Sequence, residues 1–284
     1  MKLDNQQQQV VESEDKNILV VAGAGSGKTR VLTERVRHLI RNGVEPSNIV
    51  CITFTNMASQ EMKQRLSDIQ TIGDAFIGTI HSFANTIYKT SGLTYRIFST
   101  EIQLEIFREL LSRGIGRKPK YTNLSYQKYI KYVDLQTLYE EGKVSEEELN
   151  SFLLPSEQDD LKEATKEMWK LCKERNIITF NELLRKTKQY YDEIDGRLEY
   201  VLVDEFQDVG KLEAEFIFGL NADNLFLVGD DWQSIYGFKG GDVSIFKGLL
   251  DREDWKVHYL ENNYRNGSEI IKFANVIINQ VSSK

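Results

Sequence analysis

The sequence predicts an α/β fold: a parallel sheet with helices packed on it, interrupted by an all-helical insertion. Three observations lead there. Five short runs are apolar without alternating, the mark of strands covered on both faces: NILVVA (Asn17 to Ala22), NIVCITF (Asn48 to Phe54), AFIGTI (Ala75 to Ile80), EYVLVDE (Glu199 to Glu205) and NLFLVGD (Asn224 to Asp230). Helical patterns separate the first three, which makes a βαβ series with right-handed crossovers. Strand-like runs then stop from about Tyr95 to Thr179. Residues 1–94 and 180–284 are therefore expected to form the α/β domain, and residues 95–179 a helical subdomain.

Each element has a local reason. Thr29 to Arg41 has a helical pattern closed by Asn42-Gly43, a pair suited to a helix C-terminus. Asn56 to Asp68 is the second helix, with Asn56 as the expected cap. In the insertion, STEIQLEIFRELLSRG opens on Ser-Thr and ends on Gly114, and VSEEELNSFL and SEQDDLKEATKEMWKLCKERN continue a helical, polar pattern. Near the end, NGSEIIKFANVIINQ is again a cap followed by a helix. There are no repeats, and the four glutamines Gln6 to Gln9 are the one low-complexity stretch.

Composition narrows the class. With 284 residues, 40% hydrophobic content and only three prolines, the chain can bury a core and is not a disordered polymer. No apolar run approaches the roughly 20 residues of a membrane span, and MKLDNQQQQV lacks an apolar signal core, so a cytoplasmic location is expected. Cys51 and Cys172 sit in apolar and helical runs and suit small buried hydrophobes better than a disulfide or a metal site. A net charge of -7 gives no global pull toward polyanions, so any nucleic-acid binding must come from local patches.

Chemistry concentrates at two strand ends. In VVAGAGSGKTRVL a strand stops at a flexible loop and restarts as a helix, which leaves backbone N–H groups pointing at one spot, where a phosphate binds. The cradle runs from Ala22 through Gly23, Ala24, Gly25, Ser26 and Gly27 to Lys28, Thr29 and Arg30. Lys28 can reach the β and γ phosphates, and Thr29 can hold Mg²⁺. The usual first glycine is replaced by Ala22, at the loop's entry, where a small residue suffices. In VLVDEFQD the pair Asp204-Glu205 directly follows an apolar strand, the place for a Mg²⁺-coordinating carboxylate and a base for the attacking water. A nucleotide polyphosphate with Mg²⁺ is thus the expected ligand.

These stretches, together with LDNQQQQVVES, TFTNMASQEMKQRL, GTIHSF, LVGDDWQSIYGFKGGD and LENNYRNGSEI, resemble in order the motifs of superfamily 1 helicases of the UvrD, Rep and PcrA type. The resemblance covers the amino-terminal half of such an enzyme, a RecA-like P-loop NTPase motor domain with its helical insertion, and that family commonly opens its loop with Ala-Gly-Ala-Gly. It implies that the nucleotide is ATP, Gln7 reads the adenine edge, Tyr264 stacks on its face, Gln233 senses the γ-phosphate, and Arg265 acts as an arginine finger alongside Lys28 and Glu205. It also implies that Phe54, Thr55, Asn56, Thr79 and His81 lie along single-stranded DNA while Tyr236 and Phe238 stack on bases.

Plainer readings stand beside these. Phe54 suits a core, His81 a satisfied polar residue beneath the sheet, and Tyr264 a helix-entry aromatic. Phe238 stands where the family usually has Trp and Lys239 where it has Arg, which weakens stacking and bidentate phosphate contact. The second motor domain has no counterpart in these residues, so a fragment, or a partner that supplies the remainder, is expected. A helicase subunit of a helicase–nuclease and a catalytically idle ATP- or DNA-binding adaptor are the alternatives, while a kinase or small GTPase lacks its other motifs here.

One stretch lies outside those motifs. Leu110 to Val133 carries Arg113, Arg117, Lys118, Lys120, Lys128 and Lys131 with no acid, interleaved with Tyr121, Tyr126, Tyr129 and Tyr132. Tyr129 and Tyr132 have the i, i+3 spacing of a buried stripe. Arg117, Lys118 and Lys120, on a Gly- and Pro-containing loop, suit a DNA backbone contact, and in the resembled family this subdomain faces the DNA.

Overall fold

The computed structural model describes residues 2–113, 126–140, 144–151, 158–193, 198–233 and 241–282. In chain order the elements begin α1 (Asn5–Glu12), β1 (Asn17–Ala22), α2 (Lys28–Arg41), β2 (Ile49–Thr53), α3 (Asn56–Arg65), β3 (Phe76–Thr79) and α4 (Ile80–Thr90). Next come β4 (Arg96–Ile97), α5 (Thr100–Ser112), α6 (Tyr126–Glu140), α7 (Glu146–Ser151), α8 (Gln158–Glu174), β5 (Ile177–Ile178) and α9 (Phe180–Thr187). The chain closes with β6 (Tyr200–Val203), α10 (Lys211–Gly219), β7 (Asn224–Gly229), α11 (Val243–Leu250), β8 (Lys256–Leu260) and α12 (Ser268–Ser282).

Two compact units result, Met1–Ile87 with Leu184–Lys284, and Tyr88–Leu183. The helices α4 and α9 cross the border, so the inserted unit takes in the end of one and the start of the other.

The first unit is an α/β domain with a six-stranded sheet in the order β3-β2-β6-β7-β1-β8, and every pairing in it is parallel. The five apolar runs are its first five strands by burial: β2 is buried at every position and β1 at all but Asn17 and Val21. The sixth strand, β8, escapes an apolar-run criterion because Lys256 and His258 interrupt it. It lies at an edge, with β1 as its one neighbour in the sheet, and only Leu260 of its five residues is buried. Since β1 is followed by β2, three positions away with β6 and β7 between them, while β8 lies on its other side, the strand order reverses at β1, and crevices for ligands form at such points.

The core packs Val20, Leu32, Ile49, Cys51, Met62 and Leu202 together. Burial raises the Cys51 thiol to about 12, as suits a structural residue, and Cys172 is likewise free and buried. Arg35 is a buried exception. Its guanidinium donates to the Val11 carbonyl at 2.7 Å and lies 6.0 Å from the Tyr200 ring centroid and 5.7 Å from that of Phe226. It thereby ties α1, which carries Gln7, to the body of the domain.

Local rules held with two adjustments. The cap of α3 is Thr55, whose hydroxyl accepts from the Ala58 N–H at 3.1 Å, and Asn56 is the first helical residue. Ser99 precedes α5 as expected, but its hydroxyl donates to Glu101 at 2.6 Å instead of accepting from the helix.

The second unit is helical around Ile106, Tyr129, Leu161 and Met168, with Tyr129 and Tyr132 both buried. It also holds a two-stranded parallel pair, β4 with β5, where no strand was expected. Two residues per strand are too few to leave a periodic signal. Glu109 accepts from Arg113 at 2.5 Å and Arg175 at 2.7 Å, and these cations hold its carboxyl below its ordinary value against the effect of burial.

Replacing Arg35 with Met keeps the stem but strands the Val11 carbonyl, so Arg35→Met is expected to lower unfolding free energy by about 1–3 kcal/mol. Urea unfolding with an unchanged denaturant slope measures it, and a variant as stable as wild type contradicts this account of α1.

Candidate functional site

The site is built where strands stop. Ala22 is the last residue of β1, fully buried and paired with Leu260, and its φ is negative, so the position needs a small side chain and not a glycine. Gly25 and Gly27 do need to be glycine, with φ +72° and +93°. A Cβ on Gly25 would stand 2.7 Å from the Arg265 Cβ, and one on Gly27 would stand 2.9 Å from Gln7 Nε2. The loop closes through Ser26, whose hydroxyl donates to the Gly23 carbonyl at 2.7 Å. Helix α2 then starts at Lys28, and its first turn presents N–H groups without intrahelical partners.

Across from the loop, β6 ends at Asp204 and Glu205. Glu205 is left-handed at φ 52°, an uncommon conformation for a residue with a side chain, and its N–H donates to Asp204 Oδ1 at 3.0 Å. Lys28 Nζ lies 3.3 Å from Glu205 Oε2, and Thr29 hydrogen-bonds the Asp204 side chain. The two ends of the expected site are thus in direct contact. Lys28 is only 9% exposed, and its Nζ has no hydrogen-bond partner. A buried ammonium with one ion pair and spare donors fits an incoming phosphate. Thr29 and Asp204 offer a hydroxyl and a carboxylate, and Mg²⁺ uses one or two such protein oxygens beside substrate phosphates, so these residues fit that ion as well.

Burial, and then the charge of Glu205, push the Asp204 carboxyl up to about 6, and the same two causes raise Asp208 to about 6. Asp208 is a site residue that motif spacing did not single out, as are Gln207 and Asp230, all three buried. A buried amide leaves no periodic mark, and the trailing Gln-Asp of VLVDEFQD was its only signal.

A third segment reaches the loop from far along the chain. The N–H of Tyr264 donates to the Gly25 carbonyl at 2.9 Å, and the Asn263 amide donates to the Ala24 carbonyl at 2.6 Å. The Tyr264 hydroxyl bonds the Asp4 carboxylate, which also accepts from Asn262 at 3.2 Å, and Gln6 Nε2 donates to Glu261 at 2.8 Å. Tyr264 is 53% exposed beside the loop, and Arg265 is exposed next to it. The Gln7 amide donates to the Ser26 carbonyl at 2.9 Å and accepts from the Asp4 N–H at 3.3 Å, and it is buried, so it braces the loop. Arg30 follows Lys28 and Thr29 in the first turn of α2, and Gln233 follows β7 with its amide on Asp230.

On the other flank, β2 and β3 end side by side, with Thr53 opposite Thr79. Phe54 is half-buried, and Thr55 and Asn56 are exposed at the start of α3. Thr79 shares a 2.8 Å hydrogen bond with Ser82, and burial lowers His81 to about 4, so His81 is neutral at pH 7. A cavity of about 160 Å³ is lined there by Thr53, Phe54, Thr79, His81, Asp204 and Glu213, among others. Asp204 thus lines this cavity and also hydrogen-bonds Thr29. Tyr236, Phe238 and Lys239, and the basic loop of Arg117, Lys118 and Lys120, lie outside the described residues. Among the described residues no helix is long and apolar enough to cross a membrane.

A parallel sheet whose first strand passes through left-handed glycines into a Lys-Thr helix start, opposite a strand-end Asp-Glu, is the P-loop NTPase fold. Residues 3–253 match the UvrD/REP helicase N-terminal domain, and the chain belongs to that family. It is 31% identical to the ATP-dependent DNA helicase PcrA of Bacillus subtilis (strain 168), over 98% of this chain and 39% of that protein. It is 31% identical to DNA helicase II of Escherichia coli (strain K12), over 97% and 40%, and 30% identical to the ATP-dependent DNA helicase Rep of Buchnera aphidicola subsp. Acyrthosiphon pisum (strain APS), over 98% and 45%. The chain thus spans about two fifths of the length of these relatives.

Because Asp204 titrates above its ordinary 3.8, the folded chain holds more protons than the unfolded one between about 4 and 6. Its contribution to stability then declines as pH rises through that window. Nucleotide-free Asp204→Asn, with no charge to bury, is expected to be more stable than wild type at pH 7, with the gap closing toward pH 4. A gap that does not vary with pH, by urea unfolding, contradicts the assignment.

Proposed function

We propose that this chain is the ATP-binding half of a DNA helicase: it binds and hydrolyses Mg²⁺-ATP and contacts single-stranded DNA. The observation that carries the reading is the contact of Lys28 with Glu205 and of Thr29 with Asp204, which brings the phosphate loop and the strand-end acids into one site. Lys28 neutralises Glu205 at 3.3 Å, and a phosphate that competes for Lys28 frees the Glu205 carboxylate to accept a proton from water. Tyr264 offers a ring face to the base, and Arg265 and Gln233 stand where phosphate charge is to be met. Mg²⁺, when bound, draws off negative charge developing on the phosphate oxygens. Thr29 and Asp204 are the residues that would hold it.

Phe54, Thr55, Asn56, Thr79 and His81 lie along a strand of DNA at the ends of β2 and β3, where a neutral His81 acts as a hydrogen-bonding group and not as a cation. Asp204, shared between that flank and Thr29, gives the two sites a common wall. Unwinding then calls for a second motor domain, from a longer polypeptide or from a partner, and the helicase names and greater lengths of the relatives support this. Glu205 paired with Lys28 argues against an idle adaptor.

Lys28→Ala is expected to weaken Mg²⁺-ATP binding strongly. Glu205→Gln is expected to keep binding and lose hydrolysis, since only the second change touches the group facing the attacking water. Calorimetry that finds equal ATP affinity in wild type and Lys28→Ala sinks the reading. An opposing arginine finger is worth ~10³ or more in rate. The 284-residue chain alone is therefore expected to turn over slowly and with little stimulation by DNA, and turnover of many per second with DNA is the opposite result.

A further inference from the structure

The Glu205 carboxylate is held by a neighbour. Gln207 is 1% exposed, and its side-chain amide is used at both ends. Nε2 donates to Glu205 Oε2 at 3.0 Å and to Asp208 Oδ2 at 3.2 Å, and Oε1 accepts the Asp230 backbone N–H at 2.9 Å. Chemistry fixes this orientation, because two carboxylates require a donor and a peptide N–H requires an acceptor; a flipped amide loses all three bonds. Strands β6 and β7 are paired, so this one side chain crosses from the end of the first to the end of the second. The crossing is tight. At Gly229, just before Asp230, a Cβ would stand 2.7 Å from Gln207 Oε1.

The connection continues beyond Asp230. Its Oδ1 accepts the Trp232 N–H at 3.1 Å, and its Oδ2 accepts the Gln233 side-chain amide. The Gln233 N–H in turn donates to the Asp230 carbonyl at 3.0 Å. From Glu205 to Gln233 there is thus an unbroken run of hydrogen bonds through Gln207 and Asp230, both buried. A buried amide that gives up a partner finds no water to replace it, so the members of such a run hold or shift together.

We propose that Gln207 is a positioning residue that makes Glu205 and Gln233 one hydrogen-bonded unit, so that the group facing the attacking water is set by the group facing the γ-phosphate. The proposal rests on the roles given above to Glu205 and Gln233. A mere staple of the fold would behave differently: its loss would lower stability and weaken all nucleotides alike.

The test compares the affinities of AMP-PNP and ADP, each with Mg²⁺, by titration calorimetry in wild type, Gln207→Glu, Gln233→Ala and the double variant. Gln207→Glu keeps size and the acceptor for the Asp230 N–H, but turns a carboxylate oxygen toward Glu205 and Asp208. Each single variant is expected to lose about tenfold of the preference for AMP-PNP over ADP, the worth of a charge-assisted hydrogen bond, and the double variant to lose no more than either. Gln207→Glu with the wild-type preference, or a double variant whose losses multiply, overturns the proposal alone. Gln233→Ala with the wild-type preference overturns the role of Gln233 and the proposal with it. Should Gln207→Glu fail to fold, Asp230→Ala puts the same question from the other end, because it removes the carboxylate that accepts the Gln233 amide and keeps the backbone N–H that Gln207 accepts. The same loss supports the proposal, and an unchanged preference overturns it.

Discussion

Everything at this site depends on a loop that must turn twice through left-handed backbone within three residues. Gly25 and Gly27 make those turns, and each is hemmed by a side chain from a distant part of the chain, Arg265 in one case and Gln7 in the other. The glycines supply φ values that other residues adopt only with strain, and the lack of a Cβ lets α1 and the 261–265 segment close on the loop. Helix α1 is in turn anchored by Arg35 through the Val11 carbonyl. The shape of the loop is therefore set by three segments, not by the loop alone.

Electrostatics completes the assembly at a cost to stability. Asp204, Asp208 and Asp230 are all buried near Glu205, and two of them titrate well above their ordinary values. The nearby Lys28 ammonium offsets part of this and is itself short of hydrogen-bond partners. An arrangement with spare negative and positive capacity in a buried cleft is costly for an empty fold and suited to a phosphate and a divalent cation. The same Asp204 also lines the cavity at the ends of β2 and β3.

Much of this was legible in the residues. Burial on both faces makes a strand continuously apolar, which is why β1, β2, β3, β6 and β7 could be read directly, and the phosphate loop and strand-end acids could be placed on them. The edge strand β8 was lost because only Leu260 of its five residues is buried and Lys256 and His258 break the apolar run, and the pair β4 with β5 because two residues carry no period. At α3, Thr55 and Asn56 are both capping types in sequence, and only backbone geometry separates them. Gln7 and Gln207 show a deeper limit. An amide's partners are set by which strand ends meet in space, and a sequence holds no record of which carbonyl, Ser26 or another, will stand opposite it.

The central claim is that α1, the loop and the 261–265 segment act as one nucleotide-binding body with the acids after β6. Hydrogen–deuterium exchange of the whole chain, with and without Mg²⁺-AMP-PNP, tests it most directly. The account predicts that peptides spanning residues 4–12, 23–31, 203–209 and 261–265 gain protection together and over the same range of nucleotide concentration. Protection confined to residues 23–31, with the other three segments exchanging as they do without nucleotide, would contradict it.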